Sequence, residues 1–463
     1  EIDDDEIDSK IHKKLRKKER EIAKNLVNLL LPKRAVDRQD WLNVGICLQN
    51  SSKSKESLKI WIDFSKKWDG YVDDTECKKK WKEFRTYKNE LTIRSLHYWA
   101  KEDNLDGYLN VLMDSLEDVV KISIRGDKAT GPHSDVANVI YNYYKHEFIC
   151  ANIRDNSWYY FNSEIGGKWE ETEQGHLLRK KFSNDIVQLY MYFQMKYQDE
   201  INKCIDPEGD DCEKHTMYTN RVVNISKVII KLKDSGYKDK IIKECKEYFY
   251  DKKFEDKLDS KKNLVGFENG VYDLNKSVFR DGLPDDYVTM STGLSIPVRS
   301  KPSTIQEILE QSKDIVNYHE INDGLDDFMK KVYPKVDVLE YTLRFLSSCL
   351  SGEIQEEKFY FWTGSGGNGK SKLVELIDHS LGEYSGSLDV AFLTSKRGCS
   401  SSASPELENV KNCRFVSMSE PEKEDVVYSG KLKQMSGGDK MTSRGLFKDT
   451  KRFKPQFKII LMC

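Results

Sequence analysis

The stretch FYFWTGSGGNGKSKLVELIDHSL, Phe359 to Leu381, decides the fold of the C-terminal part of the chain. Its apolar start reads as a strand. It breaks into Gly364, Ser365, Gly366, Gly367, Asn368, Gly369, Lys370 and Ser371, the pattern GxxxxGK[ST]. Leu373, Leu376, Ile377 and Leu381 then mark one face of an amphipathic helix. Each loop position has a chemical reason. Glycines let successive N–H groups converge on phosphate oxygens, the Lys370 ammonium neutralises β- and γ-phosphate charge, and the Ser371 hydroxyl ligates Mg²⁺. Residues Gly364 to Ser371 are therefore the expected ATP site, with Lys370 as catalytic cation and ATP and Mg²⁺ as cofactors. The flanking strand and helix predict an α/β P-loop ATPase domain over 340–463.

Such a loop needs an acidic partner on a neighbouring strand to hold the metal and position water. Downstream, CRFVSMSEPE supplies an apolar strand, Arg414 to Met418, followed by Ser419, Glu420 and Glu422. Glu420 is the expected catalytic and metal-holding carboxylate, with Glu422 in reserve at the metal. Ser419 stands where an acidic pair would put its first carboxylate. Beyond it, Lys431 to Lys458 carries nine cationic side chains against Asp439 and Asp449 in a chain near neutrality. Phe447, Phe453 and Phe457 interleave with those charges, the combination that tracks a phosphate backbone and stacks bases. Lys433, Lys440, Arg444, Lys448, Lys451 and Arg452 are the expected DNA contacts, most of them on a hairpin.

Upstream, Lys10 to Leu31 reads as a basic linker helix closed by Pro32, within a segment 1–33. Five of the eight tryptophans, Trp41, Trp61, Trp68, Trp81 and Trp99, follow at helical spacing and predict a compact helical module over 34–110 with the indoles inside. A mixed, mostly helical α+β domain is expected over 133–300, with a hairpin around Gly166 and Gly167 and a turn at Asn269 and Gly270. A helical connector over 301–339 completes the multidomain chain. Cys204, Cys212, His215 and Cys245 lack the spacing of a zinc site.

Composition bounds the rest. The 463 residues hold 38% hydrophobic and 11% aromatic side chains, enough to build cores, and 75 Lys plus Arg against 77 Asp plus Glu. Ten scattered cysteines without a CxxC exclude a disulfide scaffold, and no run of 18 apolar residues suggests a membrane span. The chain reads as a soluble intracellular protein, and its start without Met and end in FKIILMC read as those of a fragment.

Taken together, GSGGNGKS, FVSMSEPE, LKQMSGGDKMTSRGLFK and FKIILMC resemble, in order, the motifs of superfamily 3 helicases. The likeness is to the primase–helicases of poxviruses and other nucleocytoplasmic large DNA viruses. WLNVG and the tryptophan module look like the helical domain after a viral primase, and LVGFENGVYDL with DDYVTMSTGL looks like the collar-like domain before the helicase. The resemblance implies an AAA+-like, ring-forming, homo-hexameric ATPase that separates DNA during viral replication. Its partners would be single-stranded or forked DNA and other viral replication proteins, and its location the replication site in the host cytoplasm. It places the sensor Asn and the arginine finger beyond Cys463, and the polymerising primase domain before Glu1. Two other readings stay open: a P-loop kinase of a small substrate, and a non-catalytic module for DNA binding or oligomerisation.

Overall fold

The computed structural model describes residues 4–84, 91–126, 130–204, 209, 211–354, 356–364, 366–394, 405–419, 421–422, 426–443 and 451–463. They fall into two compact units: Glu1–Phe161 with Glu170–Glu255 and Leu283–Asp285, and Asn162–Trp169 with Asp256–Gly282 and Asp286–Cys463. The segment 133–300, expected as one domain, thus divides between the two. The reason is burial: Tyr144, Phe148 and Phe193 share the core of the tryptophan module, whereas Val265 shares a core with Leu373 and Ile460.

The first unit opens on a helix over Asp4–Leu29. It was expected as a solvated linker, yet Ala23, Leu26, Val27 and Leu30 are buried in the bundle, so its last two turns are part of the core. Helices Arg38–Ser51, Lys55–Ser65, Thr75–Glu83 and Ile93–Asp103 complete the bundle. Trp41, Trp61, Trp81 and Trp99 are buried as their spacing predicts, and only Trp68 among the five is exposed. Trp41 and Trp61 stack at 4.5 Å between ring centroids, and their polar edges are satisfied: Trp41 Nε1 donates to Ser65 Oγ at 2.7 Å, Trp61 Nε1 to the Trp41 carbonyl at 3.0 Å. Arg34, also buried, binds Asp103, Glu102 and Asp40. A three-stranded sheet follows, β1 (Phe148–Asn152), β2 (Ser157–Asn162) and β3 (Lys168–Glu173); its β2–β3 turn, with Gly166 and Gly167 at φ of 67° and 75°, lies in the stretch Asn162–Trp169 that is grouped with the second unit. Long helices Val187–Asn202, Cys212–Lys231 and Ser235–Tyr248 close the unit.

The second unit holds two principal sheets. β4 (Leu264–Phe267), β5 (Gly270–Asp273), β6 (Val278–Arg280) and β7 (Ser303–Thr304) form an antiparallel meander. Helices Ile305–Ser312, Tyr318–Val332 and Val336–Ser348 lead from it to β8 (Tyr360–Trp362). β8, β9 (Ser385–Leu388), β10 (Phe415–Met418) and β13 (Lys458–Met462) make a parallel sheet in the order β8-β13-β10-β9. Alternate residues serve opposite faces: Phe415 and Ile460 join one core, Val416, Ile459 and Leu461 the other. β11 (Met441–Ser443) and β12 (Lys451–Phe453) pair as an antiparallel hairpin.

Two consequences can be measured. A Cβ at Gly45 would lie 2.5 Å from Trp61 Cε2 and 2.8 Å from Phe84 Cε2, both buried rings. Gly45→Ala therefore overpacks the bundle and is expected to cost about 1–3 kcal/mol, read from the urea midpoint of the first unit. In the same unit His97 and His146 stack at 3.9 Å between centroids, with Tyr108 Oη 3.3 Å from His97 Nδ1. Burial pushes the His97 imidazole down to about 3 and that of His146 well below its ordinary 6.5, and nearby Lys145 and Arg94 act in the same direction on His146. Both rings fold neutral. As pH falls below the ordinary value the unfolded chain takes up protons the folded one refuses, so stability is lost by up to about 1.4 kcal/mol per pH unit for each ring. Urea titrations near pH 7 and near pH 5 check this, and the chain with both histidines changed to Phe should lose that part of the acid sensitivity.

Candidate nucleotide and nucleic-acid sites

The glycine-rich loop leaves the C-terminal end of β8 and enters the helix Lys370–Leu381, as its sequence predicts. That helix is held by Leu373, Val374, Ile377 and Leu381, which bury one side of it against the sheet, so its N-terminus is presented at the sheet's C-terminal edge. Gly369 caps it in the left-handed region at φ 87°, with no side-chain cap. A Cβ there would meet Val332 Cγ2 at 2.8 Å, so the end of helix Tyr318–Val332 packs directly on the loop. Around Gly366 and Gly367 the space is open: an added Cβ would find no atom within 4 Å, and Gly367 lies at φ 77°. Ser371 is exposed in the first helical turn. The Lys370 ammonium is held in the mouth of the loop, donating to the Gly364 carbonyl at 2.9 Å and to Asn368 Oδ1 at 3.2 Å. An open backbone cradle, a helix N-terminus and a tethered cation are a donor set that fits a polyphosphate with its metal.

Parallel register fixes where the acidic strand ends. Trp362 pairs with Met462 and Met418 with Leu461, so the loop after β8 and the exposed Ser419 after β10 emerge at the same edge, two strand spacings or about 10 Å apart. β13 lies between them. The residue just after it is wired to the loop: Cys463 N donates to the Trp362 carbonyl at 2.9 Å, and Gly364 N to the Cys463 carbonyl at 3.3 Å. Glu422 is exposed beyond β10. Ser365, Glu420, Arg444 and Lys448 lie outside the described residues, as does Phe447.

The basic stretch divides by position. Lys440 and Arg452 are exposed at the hairpin, Lys451 lies on β12, and Lys433 stands exposed on the separate helix Ser429–Ser436. Two expectations are corrected. Phe453 and Phe457 are buried in the core under β10 and β13, so they pack the sheet and are not available to stack bases. Lys458 is also buried, its Nζ donating to the carbonyls of Ser348 at 2.7 Å and Glu353 at 3.0 Å, so it contributes nothing to a surface field.

Sequence reasoning missed the residue that holds β10 in place. Arg414, just before the strand, is buried; its guanidinium donates to the carbonyls of Leu264 on β4 and Leu350 and lies 4.4 Å from the centre of the Tyr384 ring. Burial lowers its pKa, while Tyr384 and the buried Asp259 act the other way. The only signal was a charged residue directly preceding an apolar strand. Arg414→Met removes the donors and leaves both carbonyls unpaired, which should destabilise the second unit by about 3 kcal/mol or more, measured by urea unfolding.

Among the described residues no helix is long and apolar enough to cross a membrane. Residues 23–100 match the family model "Primase C terminal 2 (PriCT-2)", and residues 137–312 match "D5 N terminal like". Over 441 residues, 95% of the chain, it is 37% identical to "Putative helicase L207/L206" of Acanthamoeba polyphaga mimivirus, of which it covers 43%. It is 28% identical to "Putative helicase 022R" of Frog virus 3, over 95% of the chain and 51% of that protein. To "Putative primase C962R" of African swine fever virus (isolate Tick/Malawi/Lil 20-1/1983) it is 21% identical, over 93% of the chain and 44% of that protein. The chain thus spans about half the length of the curated relatives it matches. With both domain models in this order and such relatives along nearly its whole length, the chain belongs to the D5-like primase–helicase family of nucleocytoplasmic large DNA viruses.

Proposed function

We propose that the chain is the ATP-dependent helicase part of a viral primase–helicase, acting on DNA in replication as a ring of like subunits. The observation that carries this reading is the loop Gly364–Ser371, set between a parallel strand and the N-terminus of a buried-face helix with Lys370 in its mouth. Its residues would bind Mg²⁺–ATP. The backbone N–H groups around Gly366, Gly367 and Gly369 receive phosphate oxygens, Lys370 exchanges its loop carbonyl for phosphate charge, and Ser371 with Glu420 or Glu422 holds the metal. Bound Mg²⁺ supplies charge neutralisation at the phosphates. Glu420, on the segment that follows β10, aligns water. The P-loop and β10 share one sheet edge with β13 between them, so a change at the loop is felt by both neighbours through backbone hydrogen bonds. Downstream of β10 the hairpin presents Lys440 and Arg452 as the grip on one strand of DNA, and the sequence adds Arg444, Lys448 and Lys451 to that set of cations.

Mg²⁺–ATP binding by calorimetry, and ATP turnover with and without single-stranded DNA, test the reading. Lys370→Ala should weaken binding by about tenfold or more, the worth of one charge-assisted contact of about 1.5–3 kcal/mol, and abolish turnover. Turnover that persists in the variant, or that is indifferent to DNA, would sink it.

A further inference from the structure

The first unit holds a pocket that no part of the nucleotide chemistry uses. It opens between the short helix Lys33–Val36, the start of helix Arg38–Ser51 and the loop that joins helices Lys55–Ser65 and Thr75–Glu83. Its volume is about 240 Å³. That is below the roughly 300–1,000 Å³ of a typical small-molecule or cofactor site, and suits a single inserted side chain.

The floor is apolar in effect. Ala35, Trp41, Ser65 and Cys77 are buried there, and their polar atoms are already satisfied. Ser65 Oγ accepts from Trp41 Nε1 at 2.7 Å and donates to the Trp61 carbonyl at 2.8 Å. The Arg38 guanidinium lies 4.5 Å from the centre of the Trp41 ring and is paired with Glu76 at 2.5 Å. A polar group entering this floor would lose water and gain no partner, so an apolar one is favoured. The rim continues the same chemistry. Val36, Trp68 and Val72 stand exposed around it, Val72 at 91%. Trp68 is held in place by its own loop: a Cβ at Gly70 would lie 2.5 Å from Trp68 Cζ2, so the indole rests against that glycine and forms a ready-made wall.

The mouth is anionic. Between Lys67 and Lys78 the sequence places Asp69, Asp73, Asp74 and Glu76 and no cation. Glu76 is paired with Arg38 and Asp74 with Lys78, whereas Asp69 and Asp73 make no ion pair among the described residues. The main-chain N–H of Thr75 donates to Asp73 Oδ1 at 2.7 Å and holds that carboxyl below the usual carboxylate range. An exposed indole could stack a base, but unpaired carboxylates beside it repel a phosphate backbone and attract cations.

We propose that this pocket docks a partner protein, which inserts one bulky apolar side chain from a segment whose neighbouring residues are lysines or arginines. The apolar side chain supplies the buried anchor, and the flanking cations meet Asp69 and Asp73 at the mouth. The site belongs to the tryptophan module and stands independently of the nucleotide loop.

Peptides displayed on phage test this with the whole chain immobilised. A random dodecapeptide library is first depleted on the double variant Trp68→Ala with Asp73→Lys and then panned on the parent chain, so that only pocket-dependent binders are kept. Both positions are exposed, and an unchanged thermal melt by circular dichroism shows that the variant folds. Should the melt change, Val72→Arg at the most exposed rim position takes the place of Trp68→Ala. Enriched sequences are expected to share one leucine, methionine or aromatic residue next to lysines or arginines. A synthetic peptide of that sequence, followed by fluorescence anisotropy, should bind each single variant about tenfold more weakly or worse. Changing its apolar residue to alanine should cost as much, and added salt should weaken binding. A library that yields no common sequence, enriched peptides that are acidic or lack the apolar residue, or single variants that bind as the parent does would overturn the proposal. So would displacement of the peptide by a single-stranded oligonucleotide, which would make the pocket a base-stacking site.

Discussion

A single buried cation organises the second unit. Arg414 binds outward through its main chain, its N–H donating to the Tyr384 carbonyl at 2.7 Å and its carbonyl accepting from Lys458 N at 2.9 Å, which aligns β10 with both neighbours. Its guanidinium meanwhile ties that sheet to the carbonyl of Leu264 in the meander and to that of Leu350. Tyr384, stacked on the guanidinium, extends the tie: its hydroxyl accepts from Gly266 N at 2.8 Å and donates to the Met290 carbonyl at 3.2 Å. A charge out of water is costly unless its donors are used, so the strand entrance, the meander and the segment after helix Val336–Ser348 are held to one geometry. Lys458 repeats the device one strand away with the carbonyls of Ser348 and Glu353.

These anchors lie at the N-terminal ends of the parallel strands, and the glycine-rich loop lies at the opposite edge. The division has a physical sense. At the anchored edge the terminal guanidinium nitrogens of Arg414 and the ammonium of Lys458 are spent on main-chain carbonyls of the fold, whereas at the loop edge the N–H groups of a helix start and the space around Gly366 and Gly367 are left for a ligand. β13 connects the two edges, beginning at a buried lysine and ending in hydrogen bonds with the residues on either side of Thr363. A rigid sheet with one committed edge is what a site requires if small changes at bound phosphates are to reach neighbouring elements.

The first unit is stabilised differently, by aromatic packing closed around neutral polar groups. Indole N–H groups find Ser65 and a main-chain carbonyl, and the imidazoles of His97 and His146 are enclosed together. The terminal turns of helix Asp4–Leu29 belong to this core, and the family match beginning at residue 23 starts within those turns. Division of 137–312 between the two units shows that a segment matched by one family model need not bury its side chains in one place.

Much of this was legible locally. Helical spacing of Trp41, Trp61, Trp81 and Trp99 identified the bundle core because a 3.6-residue period admits few other readings. The string Gly364–Ser371 between a strand and a helix identified the candidate nucleotide loop, since positive φ at Gly367 and Gly369 is a property of the residues themselves. Charge counting did less well. Lys458, Phe453 and Phe457 look like members of a basic, aromatic binding stretch, yet all three are buried, because a side chain's destination on a strand depends on which face the sheet turns inward. The sequence by itself determined local periodicity, turn chemistry and the loop's donor set, all set by neighbours within a few residues. Only the tertiary structure decided the strand order β8-β13-β10-β9, the burial of Arg414 and the burial of Lys458, Phe453 and Phe457, because each depends on contacts between residues far apart in the chain.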